Sequence, residues 1–153
     1  RGMTDIQRAA RSLYLIKISF GSDRKTFATA PKIVGNISAS FTAVQQRLRK
    51  VIVENLDFER LIRTYDRPDA LFYCDPPYIG TESYYRAPFT TDDHARLANV
   101  LHSISGRFLL SYNDCPLVHS LYGDCRIEPL TRLNQLPASG PKEYKEVLIR
   151  NYL

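Results

Sequence analysis

The amino-acid sequence predicts an α/β fold built around one layered sheet. Three observations predict it. From residue 51 onward, segments with strand-like and helix-like apolar spacing alternate. Two short apolar runs, 70–74 and 108–112, lack polar alternation, as strands covered on both faces do. The chain has 153 residues, 44% hydrophobic and 24% charged, which suits one domain with one real core.

Thr4 followed by Gln7 has the form of a capping box, and Ile6, Ala9, Ala10, Leu13 and Ile16 then recur at helical spacing. An amphipathic helix is expected over 5–18. Residues 21–40 carry Gly, Ser, Thr, Pro and Lys without clear periodicity and form the longest loop-like region. Phe41, Val44 and Leu48 step at helical spacing, so a helix is expected over 40–49; β-branched Val51-Ile52-Val53 predicts a short strand over 51–54. Asp57 is placed to cap a helix carrying Phe58, Leu61 and Ile62, which ends before the Arg67-Pro68 turn.

The apolar run 70–74 is the next expected strand, and it stops abruptly at Asp75-Pro76-Pro77-Tyr78. Thr90 or Thr91 caps a helix with Leu97, Val100, Leu101 and Ile104 on one side, closed by Gly106. The run 108–112 is a second buried strand, followed by a short helix with Pro116 in its first turn and Gly123 at its end. Strands over 125–130 and 143–151 are joined by a loop without a helix, so an antiparallel hairpin is expected beside an otherwise parallel sheet.

Composition narrows the function classes. No apolar run approaches the roughly 20 residues of a membrane-spanning helix, and no leader-like start is present. Cys74, Cys115 and Cys125 show no C-x-x-C spacing, which argues against a disulfide framework and a zinc site and makes a reduced, cytoplasmic protein the default. The net charge of +5 is uneven: residues 1–63 hold 12 Lys or Arg against 5 acidic groups, residues 64–153 hold 9 against 11. Arg8, Arg11, Arg24, Lys25 and Lys32 lie in the basic stretch and are the candidate contacts to a polyanion such as DNA or RNA. A solvated face of ordinary helices explains the same charges, and composition does not choose.

Chemistry concentrates in Asp75-Pro76-Pro77-Tyr78. In an open α/β sheet, ligands bind outside the carboxyl ends of the strands, where this segment falls. Two consecutive prolines remove two backbone donors and restrict two φ angles, leaving a rigid hook with a carboxylate, unpaired carbonyls and an aromatic face. Its partner would be a planar amine that donates hydrogen bonds and stacks, such as a nucleobase's exocyclic amino group. That nitrogen is a poor nucleophile because its lone pair is delocalised into the ring. Acceptors from Asp75 and the Pro76 carbonyl would favour a tetrahedral nitrogen able to attack, while Tyr78 covers the ring. A stiff strand-to-helix turn explains the tetrapeptide alone; its placement after a buried strand and beside a basic half favours function.

Around the hook the sequence resembles the N6-adenine DNA methyltransferases with a D-P-P-Y motif, in particular the D12 class. Asp5 to Arg11 with Tyr14-Leu15 and Ser19-Phe20-Gly21, Val53 to Phe58, Leu71 to Tyr78, Phe108 to Asp114 and Lys145 to Ile149 carry the likeness, most specifically residues 71–78. The resemblance implies a partial Rossmann-like class I methyltransferase sheet with helices on both faces and an antiparallel last hairpin. Residues 1–50 would be a partial target-recognition, DNA-contacting segment of helix and loop, and 51–153 the catalytic α/β segment. It further implies methyl transfer from S-adenosylmethionine to adenine N6 in double-stranded DNA, with the base flipped out. Asp75, Pro76, Pro77 and Tyr78 are then the catalytic residues, and Asp57, Phe58 and Asp75 approach the cofactor.

The family's glycine-rich F-x-G-x-G loop has no counterpart, since no G-x-G occurs among the seven glycines. With the single methionine at position 3 behind Arg1 and Gly2, the chain reads as the C-terminal part of such an enzyme, whose missing N-terminal part is its expected partner. Two rival readings share these residues: a non-catalytic nucleic-acid-binding remnant, and a same-motif methyltransferase acting on RNA or another base. His94, His102 and His119 lie on expected helices with no second ligand at metal spacing and read as surface or half-buried histidines. Tyr84 and Tyr85 are expected in a mobile loop near the hook, and Cys74 reads as a small core residue.

Overall fold

The structure, a computed structural model, describes residues 2–19, 26, 37–82, 85, 89–134 and 142–153; for 37–40, 132–134 and 142 the backbone alone is described. The chain divides into two compact units, Arg1–Val53 and Glu54–Leu153. In the first, helix α1 (Asp5–Ile18) begins as its sequence predicts. The Thr4 side chain accepts from the Gln7 backbone N–H at 3.3 Å, and the Gln7 side chain accepts from the Thr4 N–H at 2.9 Å. Helix α2 (Ile37–Leu48) starts three residues before its expected position.

Residues 51–54, expected as a strand, are not one. Val51, Ile52 and Val53 are 43%, 74% and 85% exposed and lie in irregular backbone. β-branched residues favour strands because they pack against cross-strand neighbours, and no described strand pairs here.

The second unit holds helix α3 (Phe58–Tyr65), strand β1 (Leu71–Cys74), helix α4 (Thr91–Ser103), strand β2 (Arg107–Asn113), helix α5 (Pro116–Leu121), and strands β3 (Arg126–Asn134) and β4 (Lys142–Arg150). The sheet order is β1-β2-β4-β3. β1 and β2 run parallel with Phe72 opposite Phe108, β4 is antiparallel to β2, and β3 with β4 forms the expected antiparallel hairpin. The fold is therefore a mixed α/β sheet.

Paired residues share a face, so Phe108, Leu110, Tyr112, Val147 and Ile149 point the same way, and all are buried. Ile62 of α3, Leu97 and Leu101 of α4 and Val118 of α5 complete that core. The opposite face carries Leu71 and Tyr73, 62% and 66% exposed, with half-buried Leu109 and Leu148. Two expectations are corrected. Among the described residues of this unit the helices bury one face of the sheet, not both, and β1 is an edge strand rather than one covered on both faces. An apolar run signals that a strand can be covered; its position in the sheet decides whether it is.

The parallel pair depends on a close approach at Gly106. The Asp66 carboxylate accepts from the Ser105 and Gly106 backbone N–H groups at 2.8 and 2.9 Å, and Arg107 N–H donates to the Ala70 carbonyl at 2.9 Å. A Cβ on residue 106 would lie 2.8 Å from the Arg67 carbonyl oxygen and 2.9 Å from that of Ala70. Both are backbone atoms with little room to retreat. Gly106→Ala should therefore destabilise the protein by about 1–3 kcal/mol, as overpacking typically does. Urea unfolding checks this; an unchanged midpoint would show that the turn relaxes freely.

Candidate active site

The hook leaves the carboxyl end of β1 beside the carboxyl end of β2, and β2 holds it. Ser111 Oγ donates to Asp75 Oδ1 at 2.7 Å and lies 3.4 Å from the Cys74 carbonyl oxygen. This orients one carboxylate oxygen of Asp75 while the side chain stays exposed to a ligand. Asn113 grips the residue after the hook from both sides: its Oδ1 accepts from Ile79 N–H at 3.0 Å, and its Nδ2 donates to the Ile79 carbonyl at 3.2 Å. Pro76, Pro77 and Tyr78 are half-buried.

Beyond the hook the chain turns sharply. Thr81 donates through its backbone N–H and its hydroxyl to the Tyr78 carbonyl, at 2.9 and 2.8 Å, and Gly80 has φ +86°, a conformation that favours glycine. Glu82 accepts from Gly80 N–H at 2.9 Å and sits 3.1 Å from His94 Nε2. A carboxylate only accepts, so Nε2 is the donor. Nδ1 lies 2.6 Å from the Tyr112 hydroxyl. Its own and the Gly80 backbone N–H groups, then the imidazole, hold the Glu82 carboxyl below its ordinary range.

His94 is thus not the surface or half-buried residue that sequence spacing suggested. It is 1% exposed, because it falls on the buried stripe of α4 with Leu97, Ala98 and Leu101. Its ring meets Phe89 edge-on at 4.8 Å and fixes the strand–helix corner behind the hook.

Tyr78 packs against Tyr112 with ring centroids 6.1 Å apart. Burial first, then the nearby Glu146 charge, raises its hydroxyl above the ordinary tyrosine value, so it stays neutral. Burial likewise pushes the Cys74 thiol up to about 11, which removes it as a nucleophile and leaves it half-buried against the core.

Along the open edge of β1 runs an apolar trough of about 410 Å³. Leu56, Phe58, Leu61 and Phe89 form its walls, with Asp75 and Pro76 among its lining. The trough is large enough for a ring system, and its carboxylate suits a cationic centre. The sequence model described as D12 class N6 adenine-specific DNA methyltransferase matches residues 36–135, which include the hook and the trough.

The chain belongs to that family. This D12-class chain is also similar to a type II methyltransferase, M1.LlaDCHI, of Lactococcus lactis subsp. cremoris, at 24% identity over 172 residues, covering 98% of this chain and 60% of that protein. A second relative is the retron Ec67 DNA adenine methylase of Escherichia coli, 46% identical over 54 residues, 33% of this chain and 19% of that protein. The chain thus spans less than two thirds of either relative.

Within the D12-class chain the expected site residues separate. Phe58, Asp75 and Pro76 share the trough; Asp57 does not line it. Asp57 is the N-cap of α3, accepting from Glu59 and Arg60 N–H at 3.0 and 3.4 Å, and its second carboxylate oxygen pairs with Arg96. The Arg96 guanidinium also lies 4.3 Å above the Phe58 ring and 2.9 Å from Asp93. It braces the wall of the trough.

Arg8 and Arg11 are exposed on α1, Arg8 in an ion pair with Asp5 one turn away. Arg24, Lys25 and Lys32 lie outside the described residues, as does Tyr84, while Tyr85 is exposed. No helix among the described residues is long and apolar enough to cross a membrane.

Ser111, Asn113 and Arg96 were not singled out from the sequence. The signal that could find the first two is positional: a polar residue at the carboxyl end of the strand next to the hook is aimed at the same crevice.

Proposed function

We propose that this chain carries the acceptor-binding half of an enzyme that transfers a methyl group from S-adenosylmethionine to adenine N6 in double-stranded DNA. The observation that supports it most is the Asp75 carboxylate, held by Ser111 beside Pro76 and opening into the same trough as Phe58. Asp75 and the Pro76 carbonyl accept the two N–H bonds of the target amino group. Acceptors out of the ring plane draw the nitrogen lone pair out of conjugation, and the carboxylate stabilises the positive charge that develops on nitrogen. Pro77 keeps the hook stiff, and neutral Tyr78 covers the flipped base.

S-adenosylmethionine supplies the electrophilic methyl group. The aromatic and apolar walls at Phe58, Leu61 and Phe89 suit its adenosine end, and the Asp75 carboxylate suits a sulfonium charge. Asp57 acts here through α3 and Arg96 rather than by touching the cofactor. Residues 1–50, with Arg8, Arg11, Arg24, Lys25 and Lys32, serve as the DNA-contacting segment in this reading, and 51–153 as the catalytic one. The three cysteines are free, in keeping with a reduced, cytoplasmic setting.

The reading includes a complementing N-terminal part of the same enzyme. Supporting it are the exposed Leu71 and Tyr73 on β1, which lies at the edge of the sheet among the described residues, and the span of 60% against the Lactococcus relative. Calorimetry tests it. This chain alone is expected to bind S-adenosylmethionine weakly or undetectably, and the chain joined to its N-terminal part to bind it and to methylate double-stranded DNA. Micromolar binding by the 153-residue chain alone would overturn the need for that part.

A further inference from the structure

The fold assembles a second polar cluster at the opposite end of the sheet from the hook. His102, in the last turn of α4, meets Asp124 and Cys125, which precede β3. His102 Nε2 is 2.8 Å from Asp124 Oδ1 and 3.8 Å from Cys125 Sγ, and Sγ is 3.7 Å from Asp124 Oδ1.

The imidazole is oriented twice over. Its Nδ1 lies 2.7 Å from the Ala98 carbonyl and donates to it, and its ring stacks on Tyr122 with centroids 5.7 Å apart and planes 19° apart. With Nδ1 committed as donor, the neutral ring presents the Nε2 lone pair to a carboxylate. Two lone pairs at that separation repel unless a cation stands between them, either a proton or a metal ion. An imidazole whose second nitrogen donates to a backbone carbonyl is the usual arrangement of a metal-ligating histidine.

We propose that His102, Asp124 and Cys125 form a zinc-binding site, with Nε2, a carboxylate oxygen and the thiolate as three of four tetrahedral ligands. Bonds of about 2.0–2.1 Å to N and O and about 2.3 Å to S make tetrahedral edges of about 3.3 Å for N–O and about 3.5 Å for N–S and O–S. The two edges to sulfur are within about 0.3 Å of those values. The N–O edge must open by about 0.5 Å, which the mostly exposed Asp124 side chain permits.

A neutral imidazole, a carboxylate and a thiolate together balance a divalent cation. A mixed N, O and S set favours zinc over magnesium or calcium. As the Zn–S bond forms, the Cys125 thiol proton leaves to solvent, and an Nε2 proton leaves with it if the ring is charged. All three residues line a cavity of about 520 Å³, so an ion can enter and solvent can supply the fourth ligand. Placed there, zinc ties the end of α4 to the start of β3, the length of β2 away from the hook. Its role is structural.

Titration of the whole chain with Co²⁺ as the zinc surrogate tests the site. About one equivalent should give a thiolate-to-metal charge-transfer band and tetrahedral visible bands, and excess Zn²⁺ should bleach both. Cys125→Ser should abolish the charge-transfer band. Asp124→Asn, at a mostly exposed position, should weaken Co²⁺ binding at least 10-fold, as should His102→Gln; loss of a partner that merely orients a ligand already costs roughly 10–100-fold. Zn²⁺ should also raise the melting temperature of the native chain and leave that of Asp124→Asn nearly unmoved. The absence of a charge-transfer band in the native chain, or a band that survives in Cys125→Ser, overturns the proposal.

Discussion

Asp75→Ala, in the proposed enzyme with its complementing N-terminal part, is expected to lower the rate of adenine methylation about 10²- to 10³-fold, with most of the loss in kcat. The basis is the magnitude seen when one preorganised electrostatic partner of a transition state is removed, about 2.7–4 kcal/mol. Asp75 meets the conditions for so large an effect. Ser111 holds one oxygen at 2.7 Å, so the carboxylate needs little reorganisation when charge develops on the substrate nitrogen. In the role proposed for it, its interaction with that nitrogen would strengthen as the nitrogen becomes tetrahedral, so it would act on the transition state more than on the bound base.

The substitution should not unfold the protein. Asp75 is exposed, and the Ser111 hydroxyl it leaves behind can turn to the Cys74 carbonyl 3.4 Å away. Ser111→Ala should cost less, about 10-fold, because it loosens the carboxylate without removing it. Steady-state kinetics and melting curves on the same preparations separate the two effects. Retention of most activity by Asp75→Ala would show that the hook is not where the amino group is held.

The largest loss of stability is expected at Phe108. It is fully buried on β2, opposite Phe72 on β1, with the Tyr122 ring 6.4 Å away. Phe108→Ala removes a ring from the centre of the core, and rigid neighbours on the sheet and α4 limit how far the cavity can collapse. A loss of about 3–5 kcal/mol follows from comparable core truncations. The melting temperature should fall by roughly 6–20 °C. Tyr73→Ala, on a β1 position 66% exposed, should change stability by less than about 0.5 kcal/mol. If Tyr73→Ala proved the more damaging of the two, the burial of the two strands would have been assigned the wrong way round.

Those two strands show where reading the sequence succeeds and where it stops. Both 70–74 and 108–112 were recognisable as strands, and the parallel pairing between them is as expected. The burial expected of 108–112 is observed, whereas that expected of 70–74 is not. Central and edge strands can carry the same apolar run, and only the order β1-β2-β4-β3 distinguishes them. Residues 51–54 failed for the same reason in stronger form, since β-branched composition has no effect without a neighbour to pair with. His94 was misplaced because its type was weighed and its helical spacing from Leu97, Ala98 and Leu101 was not.

By itself the sequence determined what short-range physics controls. The capping box at Thr4, the Asp57 cap, the prolines of the hook and the proline that opens α5 all act within about four residues and appear where they were read, and of the two threonines offered as the cap of α4 it is Thr90 that caps it. The D-P-P-Y hook belongs to this group, which is why the family was legible before any fold was known. Tertiary structure alone decided the contacts between distant residues: Ser111 on Asp75 across 36 positions, Arg96 on Asp57 across 39, and His102 beside Asp124 across 22. Nothing in local spacing encodes those meetings. They follow from strand order and from which helix face is buried, and they determine how the carboxylate of the hook is aimed and where a metal ion could be held.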